Sequence, residues 1–180
     1  MDSSQNQPVV VLQRALDQAG DALASIQHAE LARPTPCGDW TVRELADHLA
    51  AAPEHFLQQA RGEEVDWSAR ADVADGGWAA HFRAGADDLI HHWHGQPADQ
   101  LAQADWQTAE VAVHTWDLVQ ALGHSQELDE EAAERGLAFM RQGLTSENRG
   151  DAFGPEVEVA EGAGAYERLA AFAGRTPPPT

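Results

Sequence analysis

The sequence predicts an all-α protein, a four-helix bundle with an extra short C-terminal helix and a short extended segment. Apolar residues recur at three- and four-residue steps over long stretches, those stretches are rich in Ala, and clusters of Pro and Gly interrupt them. Four long helices with short connections argue for antiparallel packing around one core. At 180 residues the chain has the length of one domain, 1–180, and can bury a core without staples.

The first helix spans 8–29, where Val9, Leu12, Leu16, Ala19, Leu23 and Ile26 keep the helical period, and R-P-T-P-C-G-D at 33–39 stops it. The second begins at the capping box Thr41-Val42-Arg43-Glu44, flanked by Trp40 and Leu45 as a hydrophobic staple. Its apolar stripe is Val42, Leu45, Leu49, Ala52 and Phe56, and His48 borders that stripe. Residues 61–76 read as a connection, and a third helix follows over 78–94. The fourth covers 104–122 and ends at Gly123, where a left-handed cap is expected. The fifth covers 129–144, with Asp129, Glu130 and Glu131 in a first turn that favours acids. F-G-P-E-V-E-V at 153–159 alternates like a short extended segment, 166–173 makes the last helix, and T-P-P-P-T is a frayed tail. No internal repeat, Gly-rich phosphate loop or G-x-S-x-G elbow is present.

The formal charge is −19, from 30 acidic and 11 basic residues, and every basic residue is Arg. That field repels phosphate backbones, so nucleic acid and anionic membranes are poor partners. A single cysteine, Cys37, rules out an internal disulfide and fits a reducing compartment. The N-terminus has no basic or apolar leader pattern, and no window reaches the ~18 apolar residues of a membrane span, so a cytoplasmic protein is expected.

Chemistry concentrates in A-E-V-A-V-H-T-W-D-L-V-Q-A-L-G at 109–123. On a helix Glu110, His114 and Asp117 fall within roughly 60° of one another, with Gln103, Gln107, Gln120 and His124 near the same face. That stripe is either the wet side of a mostly buried helix or part of a metal site. Side chains one turn apart can bend to one ion, but E-x-x-x-H supplies two ligands where catalytic zinc usually takes three protein ligands and an open position. His48 is the best third ligand if the second helix faces the fourth.

The segments P-T-P-C-G-D-W-T-V-R-E-L-A-D-H-L at 34–49, A-E-V-A-V-H-T-W-D-L-V-Q-A-L-G at 109–123, and F-G-P-E-V-E-V with R-L-A-A-F-A-G-R near the end keep a common order. Together they resemble the metal-binding domain family of mycothiol-dependent maleylpyruvate isomerases, and more narrowly its short actinobacterial members in the DinB-like superfamily. The resemblance implies a DinB-like bundle with a divalent metal, zinc or nickel, on His48, Glu110 and His114. Asp117 would orient an imidazole. It further implies mycothiol as thiol cosubstrate and a small electrophilic substrate, isomerised or joined to sulfur. A homodimer is open. The full isomerase has a second, sterol-carrier-like domain that 180 residues do not accommodate, so maleylpyruvate itself is not the expected substrate. The rival from another class is a non-catalytic bundle that binds metal or a small ligand in stress response or regulation.

Other residues read more plainly. His91, His92 and His94 close the third helix, where the dipole favours imidazoles in solvent, and His55 and His81 receive no role. Cys37 precedes a helix N-terminus but has no general base near it in sequence, so a structural role is expected. Arg149 is read as solvent-exposed, and R-G-D at 149–151 as chance.

Overall fold

A computed structural model describes residues 7–149 and 153–176. Its helices are α1 (Gln7–Ser25), α2 (Val42–Ala60), α3 (Trp78–His94), α4 (Ala104–Leu122), α5 (Glu130–Gly143) and α6 (Ala165–Phe172), with single 3-10 turns at His28–Glu30 and Leu101–Gln103. The all-α, DinB-like bundle is as expected, and no strand forms among the described residues. The segment 153–159 stays outside any sheet and is pinned to α6 where Val157 N–H donates to the Ala171 carbonyl at 2.9 Å. Most of the expected frayed tail, and Gly150 and Asp151 of the R-G-D, lie outside the described residues.

Local chemistry sets most boundaries. Thr41 opens α2: its hydroxyl accepts from Glu44 N–H at 3.4 Å while its own N–H donates to the Glu44 carboxylate at 2.8 Å. Gly123 closes α4 at φ 67°, a left-handed conformation that a residue with a Cβ adopts at a cost. Asp129 caps α5 by accepting from the N–H groups of Glu131 and Ala132.

The first helix departs from expectation, ending at Ser25 rather than 29. A tertiary contact decides this. Glu30 is buried, accepts from Gln27 N–H at 2.9 Å and Arg33 at 2.9 Å, and meets His124 at 3.0 Å beyond the end of α4. Continuing the helix would carry that carboxylate away from its partners.

The bundle is a ring in which α1 packs on α3 and α4, and α2 packs on the same two, so α1 lies diagonally from α2. Trp78, Phe56, Phe82, Leu12, Leu45, Leu49, Leu89 and Leu118 fill its centre and are essentially inaccessible to solvent. A second apolar cluster, including Val113, Trp116, Leu137, Met140, Leu169 and Phe172, joins α5 and α6 to the outer side of α4. Helix α4 is thus enclosed from both sides, and fourteen of its nineteen residues are buried. Its polar groups consequently need protein partners. Thr115 donates to the Val111 carbonyl at 2.7 Å, and Gln107 accepts from the Trp93 indole at 2.9 Å.

Candidate metal centre

The stripe on α4 does not face open water. His114 and Asp117 are buried and Glu110 is partly buried, all three looking toward α2 and the end of the chain. The structure brings His48 from α2 to the same point: one ligand-type atom each from His48, Glu110 and His114 lie within 4.8 Å of one another. Glu110 Oε1 sits 3.1 Å from His114 Nε2 and 3.6 Å from His48 Nε2. The two imidazoles stand edge to face at 4.8 Å, and the Trp40 ring covers both, its centroid 4.8 Å from His48 and 6.1 Å from His114.

Two nitrogens and one carboxylate suit a borderline divalent cation. One feature of this structure supports the fit. His48 Nε2 is buried without a hydrogen-bond partner, although it points toward Glu110. Such an orphan is uncommon in a folded protein, and with its ring proton moved to Nδ1 this nitrogen would complete a ligand set with Glu110 and His114.

The surroundings of the two imidazoles differ. His114 Nδ1 lies 3.3 Å from Asp117 Oδ2, off the ideal hydrogen-bonding direction. A carboxylate behind the imidazole fixes its ring and tautomer, as metal-bound histidines usually require. Asp117 is in turn gripped by Arg175, whose Nη2 lies 3.0 Å and whose Nε lies 3.2 Å from its oxygens. His48 instead has Arg70 at its Nδ1, 2.9 Å away. A guanidinium can only donate, so that nitrogen accepts. Arg70 is held there by the backbone bond from Ala71 N–H to the Asp47 carbonyl, 3.1 Å, and by stacking over Trp40 at 4.5 Å.

Charge follows from these contacts. Burial pushes the Glu110 carboxyl up, but the charge and hydrogen bond of His114, and then the neighbouring His48, outweigh it and hold it well below the usual range. Burial also opposes a charge on His114, yet Glu110, Asp117 and Cys37 raise that imidazole well above its ordinary value. For His48 burial prevails over Glu110 and its affinity for a proton falls. The site therefore favours one positive charge between Glu110 and His114.

A cleft of about 700 Å³ opens over the three side chains. Cys37, Trp40, Phe153 and Arg175 contribute to its walls, and Gly154 and Gly174 form a close backbone contact beside it. Cys37 is nearer to chemistry than its sequence position suggests. Its Sγ is 3.4 Å from Arg175 Nη2, and Cys37, His114 and Asp117 form a second group of converging ligand-type atoms. Arg175 itself escaped sequence reasoning, since its partner lies 58 positions earlier. The only trace was the final Arg of R-L-A-A-F-A-G-R. Arg149 is partly buried rather than exposed, donating to the Gly154 and Phe172 carbonyls. Among the described residues His91, His92 and His94 join no ligand group. His81 pairs with Glu54 at 3.5 Å, and His55 is buried against Trp67.

No helix among the described residues is long and apolar enough to cross a membrane. No solved structure matches the chain. Two uncharacterized proteins of Mycobacterium tuberculosis, from strains CDC 1551 / Oshkosh and ATCC 25618 / H37Rv, are each 31% identical over 184 residues, covering 94% of this chain and 98% of the relative. Residues 12–105 match the mycothiol maleylpyruvate isomerase N-terminal domain, a stretch that includes His48 and stops before Glu110. The chain belongs to the mycothiol maleylpyruvate isomerase N-terminal domain family, which points to a mycothiol-related, metal-binding role.

Proposed function

We propose that this protein is a divalent-metal enzyme of the cytoplasm that activates mycothiol for isomerisation or S-transfer on a small electrophilic substrate. The observation that most supports this reading is the convergence of His48, Glu110 and His114 beneath an open cleft, with His48 Nε2 buried and unsatisfied. A bound zinc or nickel ion would supply the Lewis acidity that keeps a coordinated thiol deprotonated at neutral pH.

The chain's own residues do the rest. His48 and His114 offer neutral nitrogen donors, and Glu110 offers the negative charge. Asp117 holds the His114 ring, and Arg175 holds Asp117. Trp40 covers the imidazoles and limits water, while the cleft leaves room for a thiol larger than a simple amino acid. A thiolate held there would supply the nucleophile for reversible addition to an activated cis double bond in an isomerase, or for displacement of a leaving group in a transferase.

Elemental analysis of the purified protein beside a His114→Ala variant tests the metal. The wild type is expected to carry one ion per chain, and the variant to lose it. Absence of stoichiometric metal in wild type grown in metal-replete medium ends the proposal. Mycothiol added to the cobalt-substituted protein is then expected to produce a sulfur-to-cobalt absorption band. An unchanged spectrum leaves a metal-binding bundle without thiol chemistry.

A further inference from the structure

A second cavity, of about 240 Å³, lies between α4 and α5. Trp106, Val113, Phe139, Met140, Leu144 and Phe153 contribute apolar side chains to its wall. Among the described residues, the one charged group lining it is Glu110, which also faces His48 and His114, and Phe153 walls both this cavity and the polar cleft. An apolar pocket whose single charged group is a candidate metal ligand has a defined polarity. Its reactive end is at Glu110, and the remainder accepts hydrocarbon.

We propose that this cavity holds the apolar part of the substrate, an alkyl or aryl group of roughly six to eight carbons at about 30 Å³ for each small group, with the reacting end presented to His48, Glu110 and His114. This rests on the preceding reading of the site and names its substrate class: an uncharged hydrophobic electrophile. The lining of an empty apolar cavity lacks contacts that a hydrocarbon chain restores. Phe139, 38% exposed at the rim, is one of the few large apolar side chains left in solvent and marks the mouth through which such a chain enters. A small dicarboxylate has no apolar group to place there.

The test is calorimetric titration of the zinc-loaded protein with straight-chain hydroxamates from acetohydroxamate to octanohydroxamate, whose common head binds metal and whose tails differ only in methylenes. Affinity is expected to rise about fourfold per methylene until the cavity is full. Gly143 lines the cavity, is exposed, and a Cβ placed there meets nothing within 4 Å, so Gly143→Phe introduces a ring at the cavity's edge without a clash at its Cβ. In that variant the ratio of octanohydroxamate to acetohydroxamate affinity should fall toward unity. Phe139→Ala, at the exposed rim, should also reduce it. A flat series in the wild type, or an equally steep one in Gly143→Phe, overturns the proposal. If acetohydroxamate binds and the series is flat, the metal reading stands and this one fails. If the Gly143-sensitive gain occurs but zinc leaves the affinity for acetohydroxamate unchanged, the cavity keeps its ligand and the metal reading fails.

Discussion

Arg70 is the residue whose position is hardest to reconcile with a bound cation. Metal-bound imidazoles usually donate their second ring N–H to an acceptor, as Asp117 allows for His114. At His48 that place is taken by a guanidinium, which donates to Nδ1 and leaves the ring proton on Nε2, facing Glu110. Metal entry therefore requires the proton to change nitrogen and Arg70 to withdraw. Arg70 is exposed and lies in the connection after α2, so it can move without unfolding a helix. Removing it should favour the metal. Arg70→Ala is expected to bind zinc about tenfold more tightly in competition with a chromophoric chelator, and equal or weaker binding would show that Arg70 is not an obstacle. Sequence periodicity put Glu110, His114 and Asp117 on one face, and nothing more. The choice between water and a cleft depended on His48, Trp40 and Arg175, which arrive from other parts of the chain.

At the scale of elements, α4 carries the site because helices pack on it from both sides. On the α5 side the approach is close. A Cβ at Gly136 would stand 2.9 Å from the Ala109 Cα, nearer than real Cβ atoms come, although the glycine has an ordinary helical backbone. Gly136→Val should push α5 away from α4 and cost roughly 1–3 kcal/mol in urea denaturation; an unaltered midpoint would mean the helices separate freely. Since Ala109 adjoins Glu110, the same variant tests whether the carboxylate depends on α5 for its position. Helix boundaries fixed by local chemistry, such as Thr41 with Glu44 and the left-handed Gly123, were legible in the sequence. The end of α1 was not, because Glu30 meets His124 beyond the end of α4, and its partner Arg33 donates to the Leu122 carbonyl. The ring order was not legible either: long connections let α1 and α2 occupy opposite corners, and periodicity does not encode which stripes meet.

For the molecule as a whole, acid has two opposing effects. Protonating carboxylates relieves the repulsion within a chain of charge −19, which favours the fold. Glu30 acts in the other direction. Its hydrogen bond from Gln27 N–H, reinforced by His124 and Arg33, depresses its carboxyl below the ordinary 4.5 despite burial. A depressed acid contributes stability that is present above its unfolded value and lost as pH falls through its folded one. Glu30→Gln should thus be less stable than wild type at pH 7, with the difference narrowing below about pH 4.5, where the wild-type side chain also takes up its proton. Parallel urea curves at pH 7, 5 and 3.5 read this, and a constant difference would place the effect of Glu30 in packing instead.

The grip of Arg175 on Asp117 also bears on how the chain is made. Asp117 is completely buried, and an unpaired charge in that position costs about 3–5 kcal/mol. Its partner is synthesised 58 residues later, a delay of roughly 3–12 s at ~5–20 residues per second. Throughout that interval the nascent chain has its three candidate ligands but not the cation that lets α4 seat fully. Until Arg175 is in place the burial of Asp117 is opposed, so this pair forms late relative to the rest of α4.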